Sequence, residues 1–598
     1  MRLSRLYTNR PEAFDPIPFR RGLNVIVGEI RLPENRTLSV HNLGKTTLAR
    51  VIDFCLCRGT SKEFFLQKHA DRFEGFVFYL EVELLDGRYV TIRRTVEAPS
   101  KLSIAAYEGV QRDFCDADDS EWDHVNVGFE LGKQILDGLF GLRAVKPWDF
   151  RIPVAYALRT QSDFTDVFRL SSHLGKHRYW KPYIAHILGF DATLVEKGYD
   201  LVERIERLKT TIATLRLELG ASEIDLDQIR GLIEIKKKDV DALETAANRF
   251  DFAIQDSKVN TRLVAELDDQ IASLNNQRYT YSRTRRRLQE SLQAEHIQFR
   301  PEMARRLFEE AGVVFPGQIV KEFEDLVRFN QEVANERITY LRAEFEDTNA
   351  RLGEIAHRLE ILNQERQTEL QYLGDMESVS KYREMNHRLV ALKNELASLE
   401  RQRDALLGIR EKEKELRVLV REREDQVDSL RTNVDACGID TAGRYWRIRE
   451  ALADLCQQFL GHRALVTTRL NKEDNIEFQA EYLDLSDHAT SESEGKSYKQ
   501  LLCAAFDLAV TRVMLDEGFV RFVYHDGLLE GLDNRIKLNV IAALRCLADL
   551  GIQQILTVID SDLPIADDGK RFSFTGGEVV LTLHDEGQNG RLFHMENW

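Results

Sequence analysis

A heptad pattern of apolar residues dominates the middle of this chain and constrains its fold more than any other feature. Apolar positions follow one another at alternating spacings of four and three residues, which is the spacing that a coiled-coil seam requires. They include Leu201, Ile205, Leu208, Ile212, Leu215, Leu219, Val264, Leu267, Ile271, Leu274, Leu288 and Leu292, and they resume between Ile338 and Leu399. Because polar residues fill most positions between them, such helices are stable only when they pair. The sequence therefore predicts a long coiled coil.

The coiled coil is interrupted near its centre by residues that are poor in a helix interior. Residues 299–322 contain Pro301, Gly312, Pro316 and Gly317. The flanking arms, 192–298 and 323–436, are similar in length, so we expect an antiparallel hairpin with its apex at 299–322. Weaker interruptions at 250–260 and 372–381 indicate either an elbow in the hairpin or ordinary irregularity of a coil.

Both ends of the chain have the pattern of a mixed α/β fold. In the first part, Leu23–Gly28 predicts a strand and Lys45–Leu56 a helix, and Asp86-Gly87 joins two apolar runs as a tight hairpin. In the last part we expect a hairpin over residues 464–485 and strands that end at Asp526 and near Asp560. The fold class is therefore α/β, with a bipartite head formed by residues 1–191 and 437–598 and interrupted by the coil.

Composition limits the partners and the compartment. The net charge of −16 argues against general attraction to nucleic acid, so any DNA contact needs a local basic patch. The seven cysteines are scattered and lack the paired spacing of a zinc site, which indicates reduced thiols. We expect a cytoplasmic protein without membrane contact, because no signal region and no stretch of about 20 apolar residues is evident.

The central motif is NLGKTT, residues 42–47. A phosphate loop needs a strand, a glycine turn, a Lys for the phosphates and a hydroxyl for Mg²⁺ at the start of a helix. Gly44, Lys45 and Thr46 fit the second half of this pattern, but Ser39 stands where the first glycine belongs. An insertion over residues 29–41 that separates Gly28 from the rest of the loop explains this departure. A phosphate site is favoured over a helix start with an incidental Lys; its residues are Gly28, Asn42, Gly44, Lys45, Thr46 and Thr47.

Three further features follow in chain order. Gln161 comes after the strand-like run IPVAYAL, where a glutamine can reach Mg²⁺ and water. Ser493 and Gly495 open an apolar helix, whose N-terminus suits a phosphate, although an ordinary capped helix has the same appearance. Asp526 ends a strand, where a carboxylate can hold Mg²⁺ through water.

Together these motifs resemble those of the SMC and RecN-like coiled-coil ABC ATPases, in the same order along the chain. Within that class, the split loop, SEGKS and HDGLLEGLD are most similar to bacterial SMC-like proteins of the three-component ABC type, which are linked to defence against phage or plasmids. The resemblance implies ATP and Mg²⁺ as cofactors, with Thr46, Gln161 and Asp526 near the metal. It also implies Ser493–Lys496 as the signature that contacts the γ-phosphate on a second head. Asp533 corresponds to the acid of the D-loop.

The departures from this pattern concern hydrolysis. The glutamate that normally follows the Walker B acid is replaced by Gly527, and Glu530 is the nearest substitute as catalytic base. The alternative is slow or absent hydrolysis. Glu494 stands where the signature usually has glycine, and the switch histidine is missing, with Asp560 in its region.

Two basic clusters are candidates for contact with nucleic acid. On the coil these are Arg283, Arg285, Arg286 and Arg287, for which a solvated helix face is the alternative. Near the head, residues 176–181 surround Trp180, and here a packed junction is favoured.

The function that these features favour is ATP-driven dimerisation of two heads, coupled through the coil to double-stranded DNA and to effector subunits encoded in the same operon. The alternative is a nucleotide-gated scaffold that binds ATP, scarcely hydrolyses it, and restrains an effector.

Overall fold

Two compact units make up the described part of the chain. The computed structural model describes residues 1–598 apart from 33–42, 110, 174–176, 220–224, 249–256, 299–316, 373–376, 485–494, 566–570 and 597–598. One unit, the head, comprises Met1–Glu206 and Arg417–Trp598, and the other, the coil, comprises Arg207–Leu416. Both ends of the chain therefore contribute to the head. The finer domain boundaries given above remain predictions.

The head contains both strands and helices, whereas the described part of the coil is helical except at Leu219 and Asp225. The strands are β1 (Arg2–Thr8), β2 (Ile17–Pro18), β3 (Leu23–Glu29), β4 (Val77–Glu83), β5 (Tyr89–Thr95), β6 (Lys101–Tyr107), β7 (His124–Gly128), β8 (Ala464–Leu470), β9 (Ile476–Tyr482), β10 (Phe522–His525), β11 (Gln553–Ile559) and β12 (Val579–His584). The helices are α1 (Lys45–Cys55), α2 (Phe65–Lys68), α3 (Phe129–Phe140), α4 (Arg151–Ala157), α5 (His177–Leu188), α6 (Ala192–Glu218), α7 (Leu226–Asn248), α8 (Ser257–Gln298), α9 (Gly317–Tyr372), α10 (Glu377–Ile439), α11 (Arg444–Leu460), α12 (Lys496–Val513) and α13 (Asn534–Asp549).

The larger sheet of the head is antiparallel, in the order β2, β1, β4, β5, β6, β7. The predicted hairpin joins β4 to β5, and Gly87 in its turn has a φ of 90°. That backbone conformation suits glycine and explains the Asp86-Gly87 dipeptide. A separate two-stranded sheet pairs β8 with β9, which is the second predicted hairpin.

A four-stranded parallel sheet carries the candidate site. Its order is β10, β11, β3, β12, so the N-terminal strand β3 lies between two strands from the other end of the chain. β3 is almost entirely buried, as its apolar sequence LNVIVG predicts for a strand covered on both faces. Residues that follow parallel strands meet at the carboxyl edge of the sheet, where ligands bind in open α/β folds.

Helix α12 is buried on nearly all sides because its sequence is apolar all round, including the run LLCAAF. It packs with α11 and with the parallel sheet in one continuous core. All seven cysteines are free, and Cys55, Cys57, Cys456 and Cys503 are buried. This agrees with the expectation of reduced thiols.

The coil contains antiparallel helix pairs. Between α7 and α10, Lys236 contacts Glu395 at 2.6 Å and Lys393 contacts Glu244 at 2.8 Å. Between α8 and α9, Asp268 pairs with Arg366 at 2.7 Å and Ile271 packs in a cluster whose other buried members come from α9. Those members are Ile355, Leu359 and Leu362. The partner number falls as the residue number rises, so both pairs are antiparallel. Most of the predicted apex, and the centres of the two predicted elbow segments, lie outside the described residues.

Candidate nucleotide site

The site begins where β3 gives way to α1. Helix α1 starts at Lys45, directly after Gly44, which has a φ of 103°. A Cβ on Gly44 would lie 2.6 Å from Leu592 Cβ, so both the backbone conformation and the space require glycine. The first turn of an α-helix has N–H groups without intrahelical partners, and these attract anions. Asn42 and most of the inserted segment lie outside the described residues.

Lys45 is buried, with only 6% of its surface exposed. Its Nζ has no hydrogen-bond partner among the described residues. Burial lowers the pKa of Lys45, and the charges of Glu530, Asp526 and Asp562 oppose this shift. A buried ammonium without a hydrogen bond is costly, so this arrangement fits a group that binds an anion. Gly28 lies beneath the Lys side chain, since a Cβ there would be 3.6 Å from Lys45 Cδ.

Thr46 and Asp526 form the link between α1 and β10. The Thr46 hydroxyl donates to Asp526 Oδ2 at 2.8 Å, and the Thr557 hydroxyl donates to Asp526 Oδ1 at 3.2 Å. Burial raises the pKa of Asp526, whereas both hydroxyls and Lys45 act to lower it. Hydroxyl and carboxylate oxygens are the ligands that Mg²⁺ prefers. The described residues contain no group of three or more His, Cys, Asp or Glu side chains that could hold a metal alone. Thr46 and Asp526 are the described residues here that could contribute to holding Mg²⁺. Thr47 follows Thr46 in the first turn of α1.

Gly527 brings Gln161 and Glu530 to the same point. Its φ is 68°, and a Cβ would lie 2.3 Å from Gln161 Nε2 and 2.8 Å from Glu530 Oε1. The N–H of Glu530 donates to the Gly527 carbonyl at 3.0 Å, which closes a turn and folds the Glu530 side chain back toward the end of β10. A side chain at 527 would have to displace the ends of the Gln161 and Glu530 side chains, and the Glu530 carboxylate lies beside this position.

Gln161 follows a helix, so the prediction of a strand over IPVAYAL is wrong. Helix α4 spans Arg151–Ala157, and Pro153 lies in its first turn, where the missing N–H is not needed. Gln161 itself is exposed and begins a short 3₁₀ turn, Gln161–Asp163. A backbone hydrogen bond from Gln161 to the Asp526 carboxylate acts to lower the pKa of Asp526.

A buried ion pair supports this turn from the core. Arg159 donates to both carboxylate oxygens of Asp507 on α12, at 2.8 and 2.9 Å. It also donates to the carbonyl oxygens of Asp163, Asp166 and Val167, at 2.9 to 3.0 Å. Arg159 thus ties the segment after Gln161 to helix α12.

The N-terminus of α12 is exposed at Gly495 and Lys496, while Ser493 lies outside the described residues. Ser497 Oγ, next to Lys496, lies 3.4 Å from the Gly531 carbonyl. One turn further on, Gln500 Nε2 donates to the Gly527 carbonyl at 2.7 Å. Helix α12 therefore contacts the turn that contains Glu530. The buried group around Lys45 does not include Gly495 or Lys496.

Two predicted acids lie at the edges of the site. Asp533 is exposed and precedes the first residue of α13. Asp560 follows β11 and pairs with Arg571 at 3.4 Å. Asp562 lies 3.6 Å from Lys537 Nζ, and its charge acts to raise the pKa of Lys45. Of the two acids after β11, Asp562 rather than Asp560 therefore interacts with Lys45.

The basic clusters differ in their surroundings. Arg283, Arg285, Arg286 and Arg287 are exposed on α8, and Arg286 pairs with Glu290 of the same helix at 3.1 Å. Near the head, Arg178 pairs with Asp200 and Glu203, and buried Lys181 donates to the Ile476 carbonyl. Within residues 177–181, Trp180 and Lys181 are therefore packed into the head, whereas residues 177–179 are exposed.

Sequence reasoning missed Arg159, Asp507, Thr557 and Gln500. An acid inside the apolar helix α12 and a threonine inside the apolar strand β11 were the available signals, because buried polar groups require partners. Of the described helices, none combines the length and apolar character that a membrane span requires.

Comparison with known proteins gives a partial match and distant structural likenesses. A family model described as "Uncharacterised protein conserved in bacteria (DUF2326)" matches residues 455–597. No curated protein matches this chain. Among solved structures, it is similar to the Smc head domain with a coiled coil and joint from Pyrococcus yayanosii, with 14% identity, a TM-score of 0.35, and coverage of 96% of this chain and 98% of that one. It is also similar to the Smc head domain with an extended coiled coil bound to the C-terminal domain of ScpA from Pyrococcus furiosus, with 10% identity, a TM-score of 0.32, and coverage of 94% and 90%.

Proposed function

We propose that the head binds ATP with Mg²⁺ at the N-terminus of α1 and hydrolyses it. The observation that carries this proposal is the buried Lys45 ammonium, without a hydrogen-bond partner in the described structure, beside the Thr46–Asp526 hydrogen bond. An anion at the start of α1 would satisfy both the ammonium and the free N–H groups of the first turn. A phosphate group is an anion of this kind.

Lys45 neutralises charge that builds up on the phosphates as the terminal P–O bond breaks. A bound Mg²⁺ would supply further positive charge against the phosphates. Thr46 and Asp526 are placed to hold it, because Thr557 and Thr46 fix both oxygens of the Asp526 carboxylate.

Glu530 is the proposed general base. Its carboxylate and the Gln161 amide approach the same point beside Gly527. A water held between them could lose a proton to Glu530 while its oxygen attacks the γ-phosphorus, with ADP as the leaving group. Gln500 supports this geometry from α12, since it fixes the carbonyl of Gly527.

The homodimer belongs to the same proposal. Gly495 and Lys496 are exposed at the N-terminus of an 18-residue helix, and the motif resemblance assigns Ser493–Lys496 to the γ-phosphate of a second head. ATP held between two heads would bring each Lys45 opposite the α12 N-terminus of the other chain. Exposed Asp533 would lie in the same interface.

Coupling of ATP to double-stranded DNA and to operon-encoded effector subunits, in defence against phage or plasmids, rests on the motif resemblance alone. The exposed arginines of α8 are the proposed DNA contact. A local cluster of this kind can neutralise phosphates although the whole chain is acidic.

The test is steady-state ATP turnover with and without linear double-stranded DNA. Lys45→Ala should abolish ATP binding, and Glu530→Gln should keep binding but reduce turnover by about 100-fold or more, as loss of a general base does. Lys62→Ala and Glu63→Gln are matched controls, because both residues are exposed. Wild-type turnover that survives in Glu530→Gln would refute the assignment of the base.

The alternative, a nucleotide-gated scaffold, is favoured by Gly527, which supplies no carboxylate. It predicts tight ATP binding and no turnover, with or without DNA. In that case Glu530→Gln would leave the properties of the protein unchanged.

A further inference from the structure

The two ends of the segment inserted in the phosphate loop are held by one short stretch of chain after β12. At the entry, the Asp585 carboxylate accepts hydrogen bonds from the N–H groups of Arg31, at 2.8 Å, and Leu32, at 3.2 Å. At the exit, the N–H of Leu592 donates to the carbonyl of Leu43 at 3.1 Å. The Leu592 side chain also packs on Gly44, directly before Lys45.

This stretch is a closed loop with a fixed span. The N–H of His584 donates to the Gly590 carbonyl at 2.6 Å, and Gly587 and Arg591 close two tighter turns inside it. A Cβ on Gly590 would lie 2.2 Å from the His584 carbonyl oxygen, so the closure requires glycine. The distance between Asp585 and Leu592 is therefore set by the loop itself.

The loop is fixed to the head on both sides. Before it, β12 pairs in parallel with β3, with Thr582 opposite Val27 and Leu583 opposite Gly28. After it, Phe593 packs against Phe14 and Phe73, with ring centroids 5.3 and 5.0 Å apart. Neither anchor involves the inserted segment.

A phosphate loop works because the end of its strand and the start of its helix are held at a constant separation. In a contiguous loop, the chain itself sets that separation. Here Gly28 and Gly44 are 16 positions apart in the sequence, and an insertion of this length does not fix their spacing. The contacts of Asp585 with residues 31–32, and of Leu592 with residues 43–44, supply the missing constraint.

We propose that Asp585 and Leu592 are positioning residues of the nucleotide site, which hold the start of α1 in the conformation that binds phosphate. This inference rests on the proposed function. Neither residue belongs to the group of Asp526, Gln161 and Glu530. Their loss should weaken the binding of phosphates and leave the chemical step intact.

The test uses the full chain with Asp585→Ala, Asp585→Asn, Leu592→Ala and Leu592→Met. Binding of ATP and ADP is measured by calorimetry, KM and kcat by turnover, and folding by urea midpoint. Asp585→Ala removes two charge-assisted hydrogen bonds, so we expect Kd and KM to rise roughly tenfold at a kcat within about twofold of wild type. Asp585→Asn and Leu592→Met keep an acceptor and the side-chain volume respectively, and should recover most of the loss. Gln588→Ala, an exposed position in the same loop, is the control.

A merely structural role gives a different result. Partial unfolding would lower kcat through the active fraction and would leave KM unchanged. That outcome, or Kd values for Asp585→Ala and Leu592→Ala equal to wild type, would overturn the inference while the proposed function stands. A wild-type protein that binds neither ATP nor ADP would remove both together.

Discussion

The Arg159–Asp507 pair allows a quantitative test of how the head is held together. The exposed fractions of the two side chains are 1% and 7%, so the pair is removed from water. Burial acts to lower the pKa of Arg159, but the charge of Asp507 outweighs burial and raises this pKa. The guanidinium therefore stays ionised. Asp507→Leu would leave that cation buried with backbone carbonyls but no counter-charge. We expect a loss of about 3–5 kcal/mol in the free energy of unfolding, as for other broken buried pairs.

The double variant Arg159→Met/Asp507→Leu separates charge from geometry. It removes both buried charges, and such replacements are often close to neutral in stability. However, the carbonyls of Asp163, Asp166 and Val167 lose their donor, at roughly 1 kcal/mol each. Because it leaves no unpaired buried charge, the double variant should still be more stable than Asp507→Leu alone. The double-mutant cycle should give a coupling of at least about 2 kcal/mol.

Tryptophan fluorescence in urea is the assay, because all five tryptophans lie outside residues 207–416 and thus outside the coil. ATP turnover by the double variant provides the second measurement. Since the segment after Gln161 loses its anchor, we expect kcat to fall at least about tenfold although the head remains folded. A coupling below about 1 kcal/mol, or full activity of the double variant, would refute the reasoning.

Three further outcomes follow from the same site. Gly527→Glu, which restores the residue of the resemblance, should lower turnover instead of raising it, because a Cβ at this positive φ is strained and displaces the ends of the Gln161 and Glu530 side chains; a faster enzyme would contradict this. Thr557→Val removes the hydroxyl that bonds to Asp526 and to the Gly527 N–H. The urea midpoint should therefore fall by the equivalent of about 1–3 kcal/mol, and kcat should decrease. Thr557→Ser should retain the wild-type midpoint and kcat. Burial lowers the pKa of His525 to about 4 from 6.5. As pH falls below about 7, the imidazole of the unfolded chain is protonated before that of the folded chain, so the folded state loses stability. Between pH 7.5 and 5.5 wild type should lose about 1 kcal/mol more than His525→Gln, and equal losses would show that His525 titrates normally.

The part of the site that lies on a contiguous motif could be predicted from the sequence. Gly44, Lys45 and Thr46 are adjacent, and their chemistry depends on local backbone geometry at a helix start. Asp526 was recognisable because an apolar strand ends at it. The heptads likewise predicted paired helices, since a seam is a property of spacing alone.

Other features depend on contacts that no local pattern encodes. Arg159 and Asp507 are 348 positions apart, and Asp585 is 554 positions from Arg31. The run IPVAYAL was misread because a short buried apolar segment has no periodicity that separates strand from helix. The position of the Glu530 carboxylate depends on the positive φ of Gly527, and the sequence does not show where that turn places the side chain.

The order of the parallel sheet explains why the site draws on both ends of the chain. β3 carries Gly28 and leads to Lys45, but it pairs on one side with β11 and on the other with β12. Its two neighbours thus come from residues after the coil, and so do Asp526, Glu530 and the loop that holds Leu43. Residues before the coil supply Lys45, Thr46 and Gln161. Neither end alone contains all the groups that the proposed nucleotide site uses, so that site requires strands and loops from both ends of the chain.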